Sequence, residues 1–380
     1  MTVLLTGATG FLGSRLLLSL LTTRERVVVV LGRGADLRAR VLAALEAAAG
    51  RGIDAPARSR LRCVRGDITQ PWLGLAPSVY GRLAEETGAV WHCAGDIALT
   101  GERERLFRAN VRGTANILEL AALTPPYTPL VHMSTVAVAG GRRTGVVAED
   151  DLSDAHGFET HYDASKYQAE LLVRDWARRF GRTALVLRPS IVATGEPLPE
   201  GAPGHPLKVL GDMIDAVAHG GAPGIPAERR AGDTLRLRLP VPPGATFNIV
   251  QDTYATQAML CVAHDSRYDH DSGVHTFHIV HPVNTTMSTI TRAIEARYPG
   301  LRLACVERLP DPTPAERFIE AHLPGFLSYC HHTRGYDRSA TLALTRHLAP
   351  PPPIDGDYLR GALGFRAAAG PVPATGIVSG

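Results

Sequence analysis

The first 13 residues constrain the fold most strongly, because they combine a predicted strand, a glycine-rich turn and the start of a helix. The apolar run Thr2–Thr6 is followed by GATGFLG, residues 7–13, and then by the helical run SRLLLSLL. In this order Gly7 makes the tight turn, Gly10 lets a phosphate approach the backbone, and Gly13 lets the helix pack against the strand. A glycine pattern flanked in this way predicts nucleotide binding by Gly7, Thr9, Gly10, Phe11, Leu12 and Gly13.

Strands and helices alternate along the chain beyond this turn. Further strands are predicted at 26–31, 61–64, 89–93, 130–134, 183–188 and 276–280, with helical runs between most of them. The run 36–49 is rich in Ala and Leu, and Asp36 is expected to cap it. This alternation predicts an α/β fold with a Rossmann-type, doubly wound parallel sheet whose ligand lies at the carboxyl ends of the strands.

Glycine and proline interrupt the chain after residue 195, as in GEPLPEGAPGHP and HGGAPGIPAERR. Such stretches predict loops over a substrate, and a helical run at 286–298 predicts that a smaller C-terminal substrate domain follows. We expect an NADP-binding domain of residues 1–195 plus about 245–282. The substrate or lid domain is expected to contain about 196–244 plus 283–380.

Arg33 indicates which dinucleotide is bound. It follows the second predicted strand in the sequence GRG, where an NAD-binding chain usually carries an acid for the ribose 2′-hydroxyl. A guanidinium matches a 2′-phosphate instead, so NADPH (NADP) is the predicted cofactor. The alternative is that Arg33 is a solvated loop residue.

Residues at the ends of the third and fourth predicted strands complete the expected cofactor site. Asp67 and Ile68 are predicted to flank the adenine ring. The small residues Cys93, Ala94 and Gly95 should allow the dinucleotide backbone to lie close. Cys93 is interpreted as a packed thiol rather than a nucleophile.

The sequence HYDASKYQAE, residues 161–170, places Tyr162 and Lys166 one helical turn apart and therefore on the same helix face. Lys166 stands out because only it and Lys208 are lysines among the 40 Lys and Arg residues. A neighbouring ammonium should lower the pKa of the phenol, which could then act as a general acid or base in carbonyl reduction. The alternative is a chance Y-x-x-x-K spacing on a helix.

Composition excludes several other classes of protein. A net charge of +3, with arginines interleaved among acids, does not indicate a nucleic-acid partner. The five cysteines are scattered without a C-x-x-C pair, and neither a secretion signal nor a membrane-spanning apolar run is found, so a soluble cytoplasmic protein is expected. Cys330-His331-His332 lacks partners at zinc spacing, so no metal site is predicted.

The motifs TGATGFLG, NVRGT, STVAVAG, YDASK and RPSIVATG occur in this order over roughly residues 1–195. With them the chain resembles the extended short-chain dehydrogenase/reductases. GDITQPWLGL and HGFETHYDASKYQAELLVRDWA look most like thioester reductase domains, which release chains from carrier proteins, and like fatty acyl reductases. The resemblance implies that Thr135, rather than Ser134, acts with Tyr162 and Lys166.

The resemblance also implies further roles, with two departures from the family pattern. It adds Asn110, Pro189 and Ser190 to the cofactor site and Asp96, Ser134 and Ile191 to the substrate site. Tyr162 and Lys166 are also expected to bind the cofactor, with the Lys166 ammonium on the ribose hydroxyls. Ala139 replaces an aromatic residue common in the family, which would widen the pocket. Asp96 stands in HCAGD where the family usually has an apolar or amide residue.

Two reactions fit these residues. The first is NADPH-dependent reduction of a ketone in a bulky, polyketide-like metabolite during antibiotic biosynthesis. The alternative is reduction of an acyl thioester to an aldehyde or alcohol. The expected partner is a small-molecule carbonyl substrate, either diffusible or tethered to a carrier protein, and the enzyme would be a monomer or dimer.

Two other classes are less favoured. A nucleotide-sugar epimerase or dehydratase would retain NAD, and Arg33 argues against that cofactor. A redox-sensing binding protein would not need Thr135, Tyr162 and Lys166 intact.

Overall fold

The structure is a computed structural model that describes residues 1–22, 26–216, 218, 234–268 and 272–365. Parts of the expected lid segment, including all of HGGAPGIPAERR, and residues 366–380 lie outside these ranges. The strands are β1 Thr2–Thr6, β2 Val27–Gly32, β3 Leu61–Arg65, β4 Thr87–His92, β5 Leu130–Met133, β6 Val146–Val147, β7 Thr183–Pro189, β8 Ile191–Ala193, β9 Leu235–Pro240, β10 Thr246–Phe247, β11 Ile249–Gln251, β12 Gly273–Ile279, β13 Thr285–Thr286, β14 Leu301–Val306 and β15 Gly335–Tyr336.

Helices connect and flank these strands. They are α1 Phe11–Thr22, α2 Leu37–Ala49, α3 Ala55–Ser59, α4 Pro77–Glu86, α5 Arg103–Phe107, α6 Gly113–Ala122, α7 His161–Phe180, α8 Pro206–Ala216, α9 Asp252–Ala263, α10 Met287–Arg297, α11 Pro314–His322, α12 Pro324–Leu327, α13 Ser339–Thr345 and α14 Gly356–Ala362. A π-helical turn, Arg108–Arg112, joins α5 to α6, and 3₁₀ turns lie at Pro71–Gly74, Val136–Ala139, Ser266–Tyr268 and Ser328–His331. No described helix is long and apolar enough to cross a membrane.

A seven-stranded parallel sheet organises the fold, in the order β12-β7-β5-β4-β1-β2-β3. The chain runs outward from β1 to β2 and β3, then returns to β4 on the other side of β1. Ligands of doubly wound sheets bind at such a reversal, beyond the carboxyl ends of the strands. The predicted Rossmann-type α/β fold is confirmed, and its crevice lies next to Gly7 and Ala94.

Apolar side chains cover both faces of the sheet. One core cluster packs Leu16 and Leu17 of α1 against it, and another packs Ile117 and Val173 on the opposite side. A separate cluster contains residues after 190, including Phe247, Ile290 and Leu359. The later part of the chain therefore has a core of its own.

The sequence expectations differ from the structure mainly at element ends and in short strands. Helix α2 begins at Leu37, but Asp36 makes no capping hydrogen bond, and its carboxylate lies 3.7 Å from Nη1 of Arg40 instead. The sequence analysis missed the two-stranded pairs β6–β15, β8–β11, β9–β14 and β10–β13.

Candidate active site

The glycine turn has the conformation that its sequence predicts. Gly7 has a φ of 78°, in the left-handed region, and a Cβ there would lie 2.7 Å from the amide nitrogen of Ala94. A Cβ on Gly13 would lie 2.1 Å from the Gly7 oxygen, so α1 packs directly on the turn. A Cβ on Gly10 would meet only the Gly7 oxygen, at 3.4 Å. The space beyond Gly10 and the first amides of α1 are therefore available to a phosphate.

Two arginines lie at the end of β2. Arg33 is exposed and lines the same cavity as the glycine turn. Arg40 of α2 also lines it, and its Nη1 donates a hydrogen bond to the Arg33 carbonyl oxygen at 3.1 Å. Arg40 was not predicted from the sequence, and it places a guanidinium beside the Arg33 backbone.

The predicted adenine wall is a folded loop. The Asp67 carboxylate accepts hydrogen bonds from the Thr69 amide and hydroxyl, both at 2.9 Å. Trp72 and Leu73 hold positive φ angles of 55° and 58° in the adjoining turn. Asp67 and Ile68 line the cavity, but the carboxylate of Asp67 is used to shape its own loop.

At the end of β4, Cys93, Ala94 and Gly95 line the cavity. Burial raises the pKa of the Cys93 thiol to about 12, although the charge of Lys166 opposes it, so the thiol stays protonated at neutral pH. A Cβ on Gly95 would lie 2.9 Å from Oδ1 of Asn110, which explains the small residue.

Asn110 does not occupy the position expected of a cofactor ligand. It is buried and does not line the cavity. Its Oδ1 accepts from the Asp96 amide at 2.7 Å, and its Nδ2 donates to the Asp96 carbonyl and to Oγ of Ser165, at 2.9 and 2.8 Å. Asn110 therefore fastens the loop after β4 to α7.

Asp96 lines the cavity wall with its carboxylate already paired. Nε of Arg105 lies 2.6 Å from one carboxylate oxygen, and the Ala98 amide donates to the other at 3.1 Å. This pairing limits its use as a substrate ligand.

Thr135 and Tyr162 meet inside the cavity. Thr135 follows β5 and accepts a hydrogen bond from the Ala137 amide at 3.2 Å, and Tyr162 is the second residue of α7. Burial and the neighbouring charge of Asp163 raise the pKa of the Tyr162 phenol well above its usual value, despite a hydrogen bond with Thr135 that lowers it. The phenol is therefore a protonated donor at neutral pH.

Lys166 is buried, and its ammonium lies at the end of β5. Its effect on the phenol pKa stays a prediction. Its Nζ donates to the Met133 carbonyl oxygen at 2.6 Å, and Lys166 is not among the cavity-lining residues. Burial lowers the pKa of Lys166 to about 8, although Glu170 and Cys93 raise it. The shared helix face is real, but the lysine side chain is directed toward the end of β5.

Ser134 also differs from its expected role. Its hydroxyl donates to Glu170 at 2.8 Å rather than being free for a substrate. The Glu170 carboxylate also accepts from Nε and Nη2 of Arg188, at 3.0 and 2.6 Å, and both side chains are fully buried. Although burial alone would raise it, Arg188 and Arg174 hold the pKa of Glu170 below its usual value.

A single cavity of about 1380 Å³ contains most of these residues. Pro189, Ser190 and Ile191 line it as well, and Oγ of Ser190 has no hydrogen-bond partner among the described residues. Small-molecule sites typically measure roughly 300–1,000 Å³. The cavity volume is enough for a dinucleotide and a second ligand. The open glycine turn and the unpaired Ser190 hydroxyl fit the dinucleotide.

Residues after position 200 form the other wall of the cavity, and sequence analysis did not identify them. They include His205, Phe326, Tyr329, His332, Arg334 and Tyr336. Both ring nitrogens of the buried His332 lack partners among the described residues. The polar and aromatic run YCHHTRGY, 329–336, was the available signal. Ala139 is not among the lining residues, so the expected widening does not come from that position.

Asp163 is a buried carboxylate next to the candidate proton donor. Its side chain is fully buried, and the Tyr329 hydroxyl donates to Oδ1. Burial raises the pKa of Asp163 to about 6, although hydrogen bonds from Tyr329 and Thr160 and the charge of Arg334 lower it.

Asp163→Asn should therefore stabilise the protein increasingly as pH rises. The folded-state pKa lies above the unfolded value, so the contribution of Asp163 to wild-type stability is fully present below about pH 4 and is lost as pH rises through about 6. The neutral variant lacks this loss and should gain up to about 3 kcal/mol over wild type by pH 7, at about 1.36 kcal/mol per pKa unit. Denaturant unfolding at pH 4 and pH 7 measures it. The exposed Asp175→Asn on the same helix is the control, and an equal pH response in both variants would contradict the assignment.

Comparison with known proteins assigns the chain to a family. It is 34% identical over 181 residues to isonitrile lipopeptide synthase of Streptomyces coeruleorubidus, and 33% identical over 212 residues to carboxylic acid reductase of Segniliparus rugosus. These matches cover 47% and 50% of this chain but only 12% and 17% of the relatives. The chain thus corresponds to a small part of each.

The fold is shared with the terminal R domain from the myxalamid PKS-NRPS biosynthetic pathway. That structure has a TM-score of 0.73 and 24% identity, and the match covers 95% of this chain and 89% of that one. The model of the NAD-binding family described as male sterility protein matches residues 5–235, more than half of the chain. The protein therefore belongs to this NAD-binding family, within the extended short-chain dehydrogenase/reductases.

Proposed function

We propose that the protein is an NADPH-dependent thioester reductase that converts an acyl thioester into an aldehyde or alcohol. The observation that carries this proposal is a single cavity containing the glycine turn, the Thr135 and Tyr162 hydroxyls and a wall of later residues. The proposed domain division, 1–195 plus about 245–282 against the remainder, assigns cofactor binding to the first part. The second part would hold the substrate.

The dinucleotide would be held by cavity-lining residues at the carboxyl ends of β1, β2 and β7. The turn at Gly7 and Gly10 would take the pyrophosphate, Ser190 would offer its unpaired hydroxyl, and Arg33 with Arg40 would pair with a 2′-phosphate. When bound, the reduced nicotinamide supplies a hydride.

The chain's own hydroxyls would carry the acid-base part of the reaction. The thioester oxygen accepts hydrogen bonds from Thr135 and Tyr162, which stabilise the charge that it gains. The Tyr162 phenol then transfers its proton to that oxygen, and the resulting hemithioacetal collapses to aldehyde and thiol. The high pKa of the buried phenol keeps the proton available across the neutral range.

The activities named for the relatives favour thioester reduction over reduction of a diffusible ketone. One is a carboxylic acid reductase and one is a lipopeptide synthase, and the fold is shared with a terminal R domain of a PKS-NRPS pathway. These names support a place in secondary metabolism. Delivery of the substrate on a carrier protein and a role in antibiotic biosynthesis are part of the proposal. Ketone reduction is the second candidate, supported by the large cavity.

Consumption of NADPH distinguishes the two candidates. We expect the purified protein to oxidise NADPH with acyl thioesters of carrier protein or of N-acetylcysteamine, with release of free thiol. Bulky aromatic ketones without a thioester should be poorer substrates. Turnover of the ketones alone would reverse the assignment.

Cofactor preference should depend on Arg33 and Arg40. A charge-assisted hydrogen bond is worth about 1.5–3 kcal/mol, so Arg33→Ala should raise the KM for NADPH about tenfold or more. Arg40→Ala should act in the same direction, and neither change should alter the KM for NADH. Steady-state kinetics with both cofactors measures the effect.

Arg38→Ala is the matched control, because Arg38 lies on the same helix, donates to the Leu61 carbonyl oxygen and does not line the cavity. Equal losses with NADPH and NADH in the Arg33 variant would show that Arg33 does not contact the phosphate.

A further inference from the structure

The segment 324–331 crosses the candidate active site between two of its walls. At one end, a Cβ on Gly325 would lie 2.5 Å from the Leu99 Cβ, so the segment packs tightly on the loop after β4. At the other end, Tyr329 lies in the 3₁₀ turn Ser328–His331 and lines the cavity. Its hydroxyl reaches the first turn of α7, which carries Tyr162.

A closed ring of hydrogen bonds joins Tyr329 to that first turn. The Asp163 amide donates to Oγ1 of Thr160 at 3.2 Å, which caps the helix. Oγ1 of Thr160 lies 3.2 Å from the Tyr329 hydroxyl, and that hydroxyl donates to Oδ1 of Asp163. The Thr160 hydroxyl is therefore within hydrogen-bond distance of Tyr329 while it accepts from the Asp163 amide.

The ring lies at the helix turn that carries the candidate proton donor. Thr160 and Asp163 lie on either side of Tyr162 in the sequence, and all three belong to the start of α7. Oδ2 of the buried Asp163 has no partner among the described residues. A buried carboxylate with an unpaired oxygen contributes little to stability, so its bond to Tyr329 is better explained by a positional role.

We propose that Tyr329, Asp163 and Thr160 form a clasp that sets the position of Tyr162 relative to Thr135, with Tyr329 as a positioning residue for proton transfer. This inference rests on the proposed function, in which Tyr162 is the proton donor. The clasp also fastens the substrate-side segment to the catalytic helix. Without the clasp, segment 324–331 would lose the Tyr329 hydrogen bonds that join it to the first turn of α7.

Removing the link should lower kcat more than it weakens binding. Displacement of a catalytic group by about 1 Å can cost on the order of 100-fold in rate. We expect Tyr329→Phe and Asp163→Ala each to lower kcat about 10–100-fold. The thioester KM and the dissociation constant for NADPH should change less than about threefold, because the Tyr329 ring and the glycine turn are retained.

The chain offers a matched control and a conservative variant. Tyr298 is another buried tyrosine that pairs with a carboxylate: its hydroxyl donates to Oδ1 of Asp215. Neither residue lines the cavity. Tyr298→Phe should therefore lose the same type of bond without the fall in kcat. Asp163→Asn keeps an acceptor for Tyr329 and should retain most of the wild-type kcat.

The experiment measures kcat, KM, NADPH binding and Tm for these variants and for Tyr162→Phe. A kcat for Tyr329→Phe within threefold of wild type would overturn the clasp, as would a rise in KM with kcat unchanged. If Tyr329→Phe does not fold, the comparison of Asp163→Ala with Asp163→Asn decides, and equal kcat values in the two would overturn the clasp. Full turnover in Tyr162→Phe would overturn both the proposed function and the clasp, whereas an inactive Tyr162→Phe beside an active Tyr329→Phe overturns the clasp alone.

Discussion

Tyr162→Phe is expected to lower kcat by about 10²–10⁴-fold, the usual contribution of a positioned general acid. The ring remains, so the cavity keeps its shape, and only the phenolic proton is lost. NADPH binding should persist, because the proposed phosphate contacts come from the turn at Gly7 and Gly10. Single-turnover kinetics with a carrier-bound or N-acetylcysteamine thioester measures the loss.

Tyr167→Phe provides the comparison on the same helix. Tyr167 is buried against Phe158, with ring centroids 5.0 Å apart, and does not line the cavity. It should turn over at close to the wild-type rate. If Tyr162→Phe stayed within a few-fold of wild type, the proton would come from another group. Asp96 is a poor substitute because Arg105 holds its carboxylate at 2.6 Å.

The features that sequence predicted well depend on residues close together in the chain. Strand β1 covers Thr2–Thr6, and Gly7 has the positive φ that the turn requires. These follow from local apolar patterning and from the absence of a Cβ on glycine. The alternation of such units was enough to predict the doubly wound sheet.

The contacts that side chains make were harder to predict from the sequence, as Lys166 illustrates. Helical spacing fixes the face from which a side chain leaves, but contacts from distant segments decide where it ends. Here the carbonyl of Met133, 33 positions away, accepts the ammonium at 2.6 Å. In the same way, Ser134 and Thr135 are neighbours that both line the cavity, yet the Ser134 hydroxyl donates to Glu170 and the Thr135 side chain interacts with Tyr162.

The substrate wall was the hardest part to predict. Strands β9 and β14 pair Leu235 with Leu301, and β6 pairs with β15 through two residues each. Strands β6 and β15 carry too few alternating residues to be recognised, whereas β9 and β14 have six residues each. The partners of all four lie far away in sequence. Tyr329 lies between β14 and β15 in the chain and lines the cavity.

Glu170→Gln is expected to cost about 3–5 kcal/mol of folding free energy, because it leaves the buried Arg188 guanidinium without its counter-charge. Both side chains are 0% exposed, and the carboxylate also accepts from Ser134. Urea denaturation measures the change. The control is Glu46→Gln, whose pairing with Arg58 lies on the surface and should be worth less than about 1 kcal/mol.

Replacing both partners separates the cost of an unpaired charge from the value of the pair itself. The double variant Glu170→Met with Arg188→Met removes both charges, so it should be more stable than Glu170→Gln alone. A loss of folding free energy in Glu170→Gln no larger than that in Glu46→Gln would show that water or another group compensates the Arg188 charge.

Because Ser134 immediately precedes Thr135, loss of the Glu170 contact should also loosen the end of β5. Activity should therefore fall at a temperature where the variant is still folded.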